Sequence, residues 1–387
     1  MSDNVSKLNT KRPGSVAKRV AAFVLLAVLV CALVALYVFR DSLNLDAVRR
    51  FVRYLDVKNQ DASERITFDA HSANQYADLH GALAIASVSG LRVYSDKGDE
   101  QATVLASLAA PQIDCGGKYA MAYDAGGYGL VAAHASKGEV LNISTTEPIF
   151  DADIASDGSI CYVSTESGYK TVAYVYNERQ QMIYRWLSSS QFLPLCTVNS
   201  GAKTLACVSL GQSGGIYESS VVLLKTDSDQ IEKTVSLGNE LIYDLEFTDN
   251  DTLCAVGENS ISYLTSSGER MGKYDYDDAY LKDFSFGGSG FLTLTLNMYK
   301  AGNRYRVVTV GTDGEEIGSL STDAQILDVS AAGAYVAVLT AKNLTIYNAA
   351  LEQYAEQENT GSATNVVMRD DGSAILLGSG QGTLFVP

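Results

Sequence analysis

Three histidines, six cysteines and 45 acidic residues are the groups in this 387-residue chain whose types could do chemistry. His71 and His80 lie nine residues apart in a loop-like stretch, and His134 stands alone. The three share no metal-ligand spacing, and His71 and His80 read as exposed loop residues. Cys161, Cys207 and Cys254 fall at similar places in three apolar runs, where a free thiol packs as a small hydrophobe. With Cys115 and Cys196 the cysteines beyond residue 58 are five, so at least one is unpaired. Cys196 and Cys207 could face each other across a hairpin, which leaves a disulfide between them as an open alternative. No Cys-x-x-Cys occurs, so a zinc site is not expected. Asp151, Asp153 and Asp157 form one acidic cluster, and Asp275, Asp277 and Asp278 another. Neither fits the Asp-x-Asp-x-Asp-Gly calcium loop, and both read as chance clustering in an acid-rich chain. Asp124-Ala125-Gly126-Gly127-Tyr128 reads as a turn, because no helix follows to bind a phosphate. The sequence therefore assigns no catalytic, cofactor-binding or metal-binding residue and implies no cofactor. The balance is toward a protein that is not an enzyme.

The elements that would position any site repeat. From Ile66 onward, short β-branched and aromatic runs alternate with Gly, Asn, Asp and Ser turns every 8–12 residues. A recurring apolar strand reads ICYVST, TLACVSL, TLCAVGE, FLTLTL, YVAVLT and AILLGS in turn. Another ends in a polar turn, four times closed by a glycine: Gly98, Gly138, Gly268 and Gly314. Tight hairpins need the positive φ that glycine allows. A period near forty with four strands per unit is the signature of a β-propeller. First strands begin near Gln75, Gln112, Ile149, Leu193, Leu241, Leu281, Ile326 and Ala363. These starts predict an all-β, eight-bladed propeller, with seven blades the alternative and a pair of β-sandwiches the rival architecture. The last unit, from Ala363, has three strands, and the run Arg65 to Ala70 could supply its fourth.

The N-terminus has a different texture. Residues 1–19 form a short basic tail, and Val20 to Phe39 runs twenty residues without a charge. A helix of that length matches a hydrocarbon core of roughly 30 Å. Arg40, Asp41 and Ser42 follow in place of small residues suited to cleavage, which favours an uncleaved anchor over a secretory signal. Lysines and arginines are balanced across the span, five on each side. The short, crowded N-terminal flank favours an N-terminus in the cytoplasm and residues 61–387 outside. Residues 40–60 are expected to hold a short amphipathic helix, with Leu45, Val48, Phe51, Val52 and Leu55 on one face. Ten of the 29 basic residues but only four of the 45 acids fall in the first 58 positions. The remainder carries 19 against 41, a net −22, which argues against nucleic acid as a partner.

This layout, with the helix Val48-Arg49-Arg50-Phe51-Val52-Arg53-Tyr54-Leu55 after the span, resembles an uncharacterised family of membrane-anchored β-propellers of Gram-positive bacteria, similar in repeat style to quinoprotein-like and WD40-like propellers. The resemblance implies fold and location only. The recurring blade-end tryptophan of quinoproteins and the Trp-Asp pairs of WD40 repeats are missing, and Trp186 stands alone. The lone tryptophan also counts against a carbohydrate platform of stacked indoles. Twenty-one of the 23 tyrosines lie beyond residue 58, among them Tyr263, Tyr274, Tyr276, Tyr280, Tyr299 and Tyr305, and serve either strand packing or a binding surface. The expected role is a protein-binding or scaffolding module at the cell envelope, anchored in the lipid bilayer, with an envelope protein as partner. The alternative is an envelope glycan hydrolase, or a propeller that binds a glycan or small ligand. Two carboxylates about 5–9.5 Å apart in the central funnel would support hydrolysis.

Overall fold

The computed structural model describes residues 23, 24, 26, 49, 50, 65–95, 97–248 and 251–387. The chain divides into two units, 1–53 and 54–387. In the first, Phe23, Val24, Leu26, Arg49 and Arg50 are helical. The expected membrane span 20–39 and amphipathic helix otherwise lie outside the described residues. Among the described residues, no helix is long and apolar enough to cross a membrane.

The second unit contains eight four-stranded antiparallel sheets. Seven are built from consecutive strands, spanning 75–105, 111–144, 151–188, 192–238, 242–275, 280–322 and 326–358. These are blades 1 to 7. Blade 8 joins three C-terminal strands between Asn365 and Phe385 to the N-terminal strand Arg65–Thr67. Ile66 pairs with Gly382, so the sequence-predicted closure is present and the blade count is eight.

Burial explains the recurring sequence texture. Second strands lie between two neighbours in their sheet and between two other blades. Ala82–Ser87 and Phe291–Asn297 are buried at every position, so they read as unbroken small or apolar runs. Fourth strands are outer edges. Glu100–Leu105 alternates exposed and buried after its first residue, and Arg270–Asp275 is polar and largely exposed. The buried apolar residues fall into eight clusters, each spanning the seam between two blades. The eighth brings Ile66, Val367, Ile375 and Leu377 of blade 8 against Leu83 and Ile85 of blade 1, closing the ring.

Where a first strand ends against the next blade, the backbones meet. A Cβ on Gly116 would lie 2.3 Å from the Ile154 carbonyl oxygen, and one on Gly287 would lie 1.9 Å from that of Ala331. Each glycine sits two residues after a side chain that hydrogen-bonds the next blade, Asp114 and Ser285. Gly287→Ala should therefore part blades 6 and 7 and cost about 1–3 kcal/mol, comparable to overpacking a core. Urea unfolding of the wild type and the variant checks this, with a loss under about 0.5 kcal/mol as the contrary result. By contrast Gly98 and Gly268 hold φ of +85° and +75° in hairpins between third and fourth strands, the conformation their turns require.

Candidate functional site

The first strand of every blade is a sheet edge facing the ring's axis, and its backbone N–H groups need acceptors. Side chains on the preceding blade supply them. Asp151 accepts from the Cys196 amide at 2.8 Å, and Asp328 accepts from that of Val366 at 2.7 Å. The Val329 amide, which donates to Asp328 at 3.0 Å, also faces Asp283 of the preceding blade. Deeper in the ring, Asp114 accepts from Ile154 at 2.8 Å and Asp153 from Val198 at 2.8 Å. Thr197, Ser285 and Ser330 do the same for Phe247, Ala331 and Met368, at 2.9–3.1 Å. A ladder of acids and hydroxyls thus stitches blade to blade.

Two acids in this ring serve no neighbouring blade among the described residues. Asp244 accepts from its own next amide, Leu245, and no described protein donor lies on Glu246. Glu246 stands with Asp114 and Asp153, one carboxylate oxygen from each within 4.8 Å of the others. Three such oxygens can share protons or hold a cation. Asp114 and Asp153 lie close enough in this group to share a proton. Burial raises every carboxylate here. It lifts Asp244 and Asp328 to about 7, and Asp151 and Asp283 to about 6. Burial followed by the repulsion of Asp153 and Asp114 drives Glu246 well above the usual range. Asp78 is lifted to about 6 by burial, against the opposing pull of fully buried Arg369, whose Nε lies 3.9 Å away.

The acidic pair Asp151 and Asp153, read from sequence as chance clustering, therefore belongs to this ring. Asp157 does not: it caps a turn and accepts from Gly201 of the next blade at 2.7 Å. The signal for the ring was present, because an acid recurs in the first strand at Asp78, Asp114, Asp151, Asp244, Asp283 and Asp328. Asp275 ends the fourth strand of blade 5, and Asp277 and Asp278 lie on the link between blades 5 and 6. His71 and His80 are exposed as expected, but His134 is buried edge-on against Tyr119. The segment Gly211-Gln212-Ser213-Gly214-Gly215 has the spacing of a nucleophile elbow, yet it forms the hairpin between strands Thr204–Ser213 and Ile216–Lys225, with no helix after it.

Cys161, Cys207 and Cys254 occupy buried second strands, as their spacing predicted. Cys196 is directly opposite Cys207 in register, but both thiols are free, which removes the disulfide alternative. Cys196 instead approaches Cys161 across the seam, with Sγ atoms 3.5 Å apart. Burial pushes the Cys161 thiol up to about 12 and raises Cys196 and Cys207 well above the thiol range. Thiolates are the reactive form. Ellman's reagent at pH 8 should find Cys161, Cys196 and Cys207 inert in the folded protein and fully reactive in guanidinium; rapid native labelling of all three would contradict this burial.

The ring's two faces differ. One carries the links between blades and the hairpins joining second to third strands. All seven exposed aromatic residues of the propeller that are described lie there or at the adjoining strand ends: Tyr128, Tyr169, Phe192, Tyr217, Tyr243, Tyr280 and Tyr299. They run through blades 2 to 6 and are 39–54% exposed. Tyr243 sits at a register shift between Ile242 and Asp244, a bulge that turns the side chain outward. The matching shifts in blades 6 and 7 fall at Lys282 and Leu327. Tyr263 and Tyr276 are buried, so the tyrosines divide between packing and surface. On the same face, a cleft of about 300 Å³ opens between blades 8 and 1, lined by polar groups including His71, Asn74, Asn365 and Ser379. Among the described residues, the large apolar side chains exposed on the opposite face are all aliphatic, such as Met182, Ile231, Met271 and Ile317, at the starts of fourth strands.

The sequence profile of DUF5711, a family of unknown function, matches residues 51–382, which cover every blade. The chain belongs to this family. No curated protein matches the sequence. By structure the family member is similar to a crystal structure of a eukaryotic initiation factor, at TM-score 0.50 and 10% identity, over 80% of this chain and 83% of that one. Hydrazine synthase of Kuenenia stuttgartiensis aligns at TM-score 0.47 and 13% identity, over 73% of this chain and 97% of its own. The WD40 repeats of RRP9 align at 0.48 and 9%, over 84% and 98%. At these identities the likeness is one of fold.

Proposed function

We propose that this propeller is a protein-binding scaffold, held at the cell membrane by residues 20–39 and displayed on the extracytoplasmic side. The observation that supports it most is the gathering of every described exposed aromatic of the ring on one face. Aromatic side chains dominate protein-binding surfaces, where large area is buried at low entropic cost. The inner acids favour a structural role. Asp114, Asp151, Asp153 and Asp328 spend oxygens on neighbouring blades. Asp114, Asp153 and Glu246 each bring one carboxylate oxygen within 4.8 Å of the others, closer than the separations of about 5–9.5 Å used in glycoside hydrolysis. The uncharged run 20–39 supports the anchor, and the acidic remainder of the chain supports a domain kept away from anionic lipid.

Crosslinking in intact cells, followed by purification of the tagged full chain and identification of what travels with it, tests the reading. A reproducible set of envelope proteins, lost when the exposed tyrosines become serine, is the expected result. No partner above the level of an untagged control would overturn it.

A further inference from the structure

We infer that the aromatic arc across blades 2 to 6 receives a lysine- or arginine-bearing extended segment of the partner protein, an inference that rests on the scaffold reading and gives its partner a chemistry. Charge supplies the first argument. Interleaved with the rings on this face are exposed acids: Glu147, Glu218, Glu258, Asp275, Asp277 and Asp278. Exposed cations described there are Lys170, Lys282, Lys300 and Arg304, of which Lys170 is engaged with the Ser190 carbonyl, while Lys273 is ion-paired with Asp275 at 2.6 Å and the two cancel. Acids therefore outnumber bases on the arc, within a domain that carries −22 beyond residue 58. Six of the seven exposed rings are tyrosine, whose faces attract guanidinium and ammonium groups.

Topology supplies the second argument. The bulges turn Tyr243, Lys282 and Leu327 outward directly before Asp244, Asp283 and Asp328. Tyr243 and Leu327 thereby place apolar surface beside Asp244 and Asp328, Lys282 sets a cation of the chain's own beside Asp283, and a partner cation drawn to the acids near Tyr243 would lie against that ring. An anionic partner or an anionic lipid surface would meet like charge instead.

The test uses the full chain in phosphatidylcholine nanodiscs and a fluorescent eight-residue peptide alternating arginine and glycine, with glutamate replacing arginine in the control. The arginine peptide should bind and the glutamate peptide should not. The triple variant Tyr217→Ser, Tyr243→Ser, Tyr280→Ser should weaken binding at least tenfold. The variant Met182→Ser, Met271→Ser, Ile317→Ser on the opposite face should change it less than twofold. Equal losses in both variants, an unchanged affinity in the tyrosine variant, or preferential binding to phosphatidylglycerol vesicles would overturn the inference. A photo-crosslinking residue at Tyr243 or at Met271, used in cells, separates this failure from failure of the scaffold reading. Capture only at Met271 sinks the arc and keeps the scaffold; capture at neither sinks both.

Discussion

The folded propeller should lose stability as pH rises from 5 to 8. A carboxylate whose folded pKa is raised binds its proton more tightly in the native state, so the stability it contributes is fully present below its unfolded pKa, near 4, and is lost as pH rises through the folded value. Here that passage lies near pH 6 to 7, where Asp78, Asp151, Asp244, Asp283 and Asp328 titrate. A tenfold change in proton affinity corresponds to about 1.4 kcal/mol. After discounting for water in the ring, on the order of 1–2 kcal/mol per acid remains at stake. The melting temperature should therefore fall by several degrees between pH 5 and pH 8. Asp244→Asn with Glu246→Gln should raise it at pH 8 and flatten the slope, since neither acid holds a described hydrogen bond to another blade. Circular-dichroism melts at fixed ionic strength would decide it. A melting temperature that climbs through this window, or an unaltered slope in the double variant, would show that the acids lie in water.

Removing the ring's clasp should also destabilise the fold strongly. Ile66 and Phe68 are 5% and 8% exposed, and both pack into the seam between blades 8 and 1. Phe68 donates its amide to the Gly380 carbonyl at 3.0 Å. Ile66→Ala should cost about 2–5 kcal/mol through the cavity and the lost burial. Ile66→Asp should cost more, because a charge would enter an apolar seam. Truncation before Gln75 should leave the third strand of blade 8, Gln381–Phe385, as an open edge and yield aggregates, whereas truncation before residue 59 should leave the ring intact. Size-exclusion chromatography and melting of the two truncations compare them directly; a monomeric, cooperatively melting protein from the shorter one would refute the clasp.

Much of this architecture was legible because burial is uneven within a blade. Second strands such as Phe291–Asn297 must be apolar throughout, so they announce the repeat. Fourth strands such as Arg270–Asp275 face water and carry almost no pattern, which is why three strands per unit were easier to read than four. The eight first strands were located to within two residues, from Gln75 to Asn365. Their acids were not understood as a set. Asp151 and Asp153 are adjacent enough to look like a local cluster, while Asp114 and Glu246, which stand beside Asp153 in space, are 39 and 93 positions from it. Only the closed ring makes them neighbours. Likewise nothing local separates Tyr243 from Tyr263; a bulge turns one outward and a seam between blades encloses the other.

The pairing of Ile66 with Gly382 also dictates an order of events. A ribosome adds roughly 5–20 residues per second, so the first strand made waits some tens of seconds for the last. Throughout that interval the growing row of blades is an open arc with two unpaired ends. Blades 1 to 7 can each form from contiguous sequence, but the circle cannot become cooperative until residues 381–385 emerge. Ring closure is thus the longest-range contact the fold must make, and until it forms the two open ends are the edges exposed to wrong pairing.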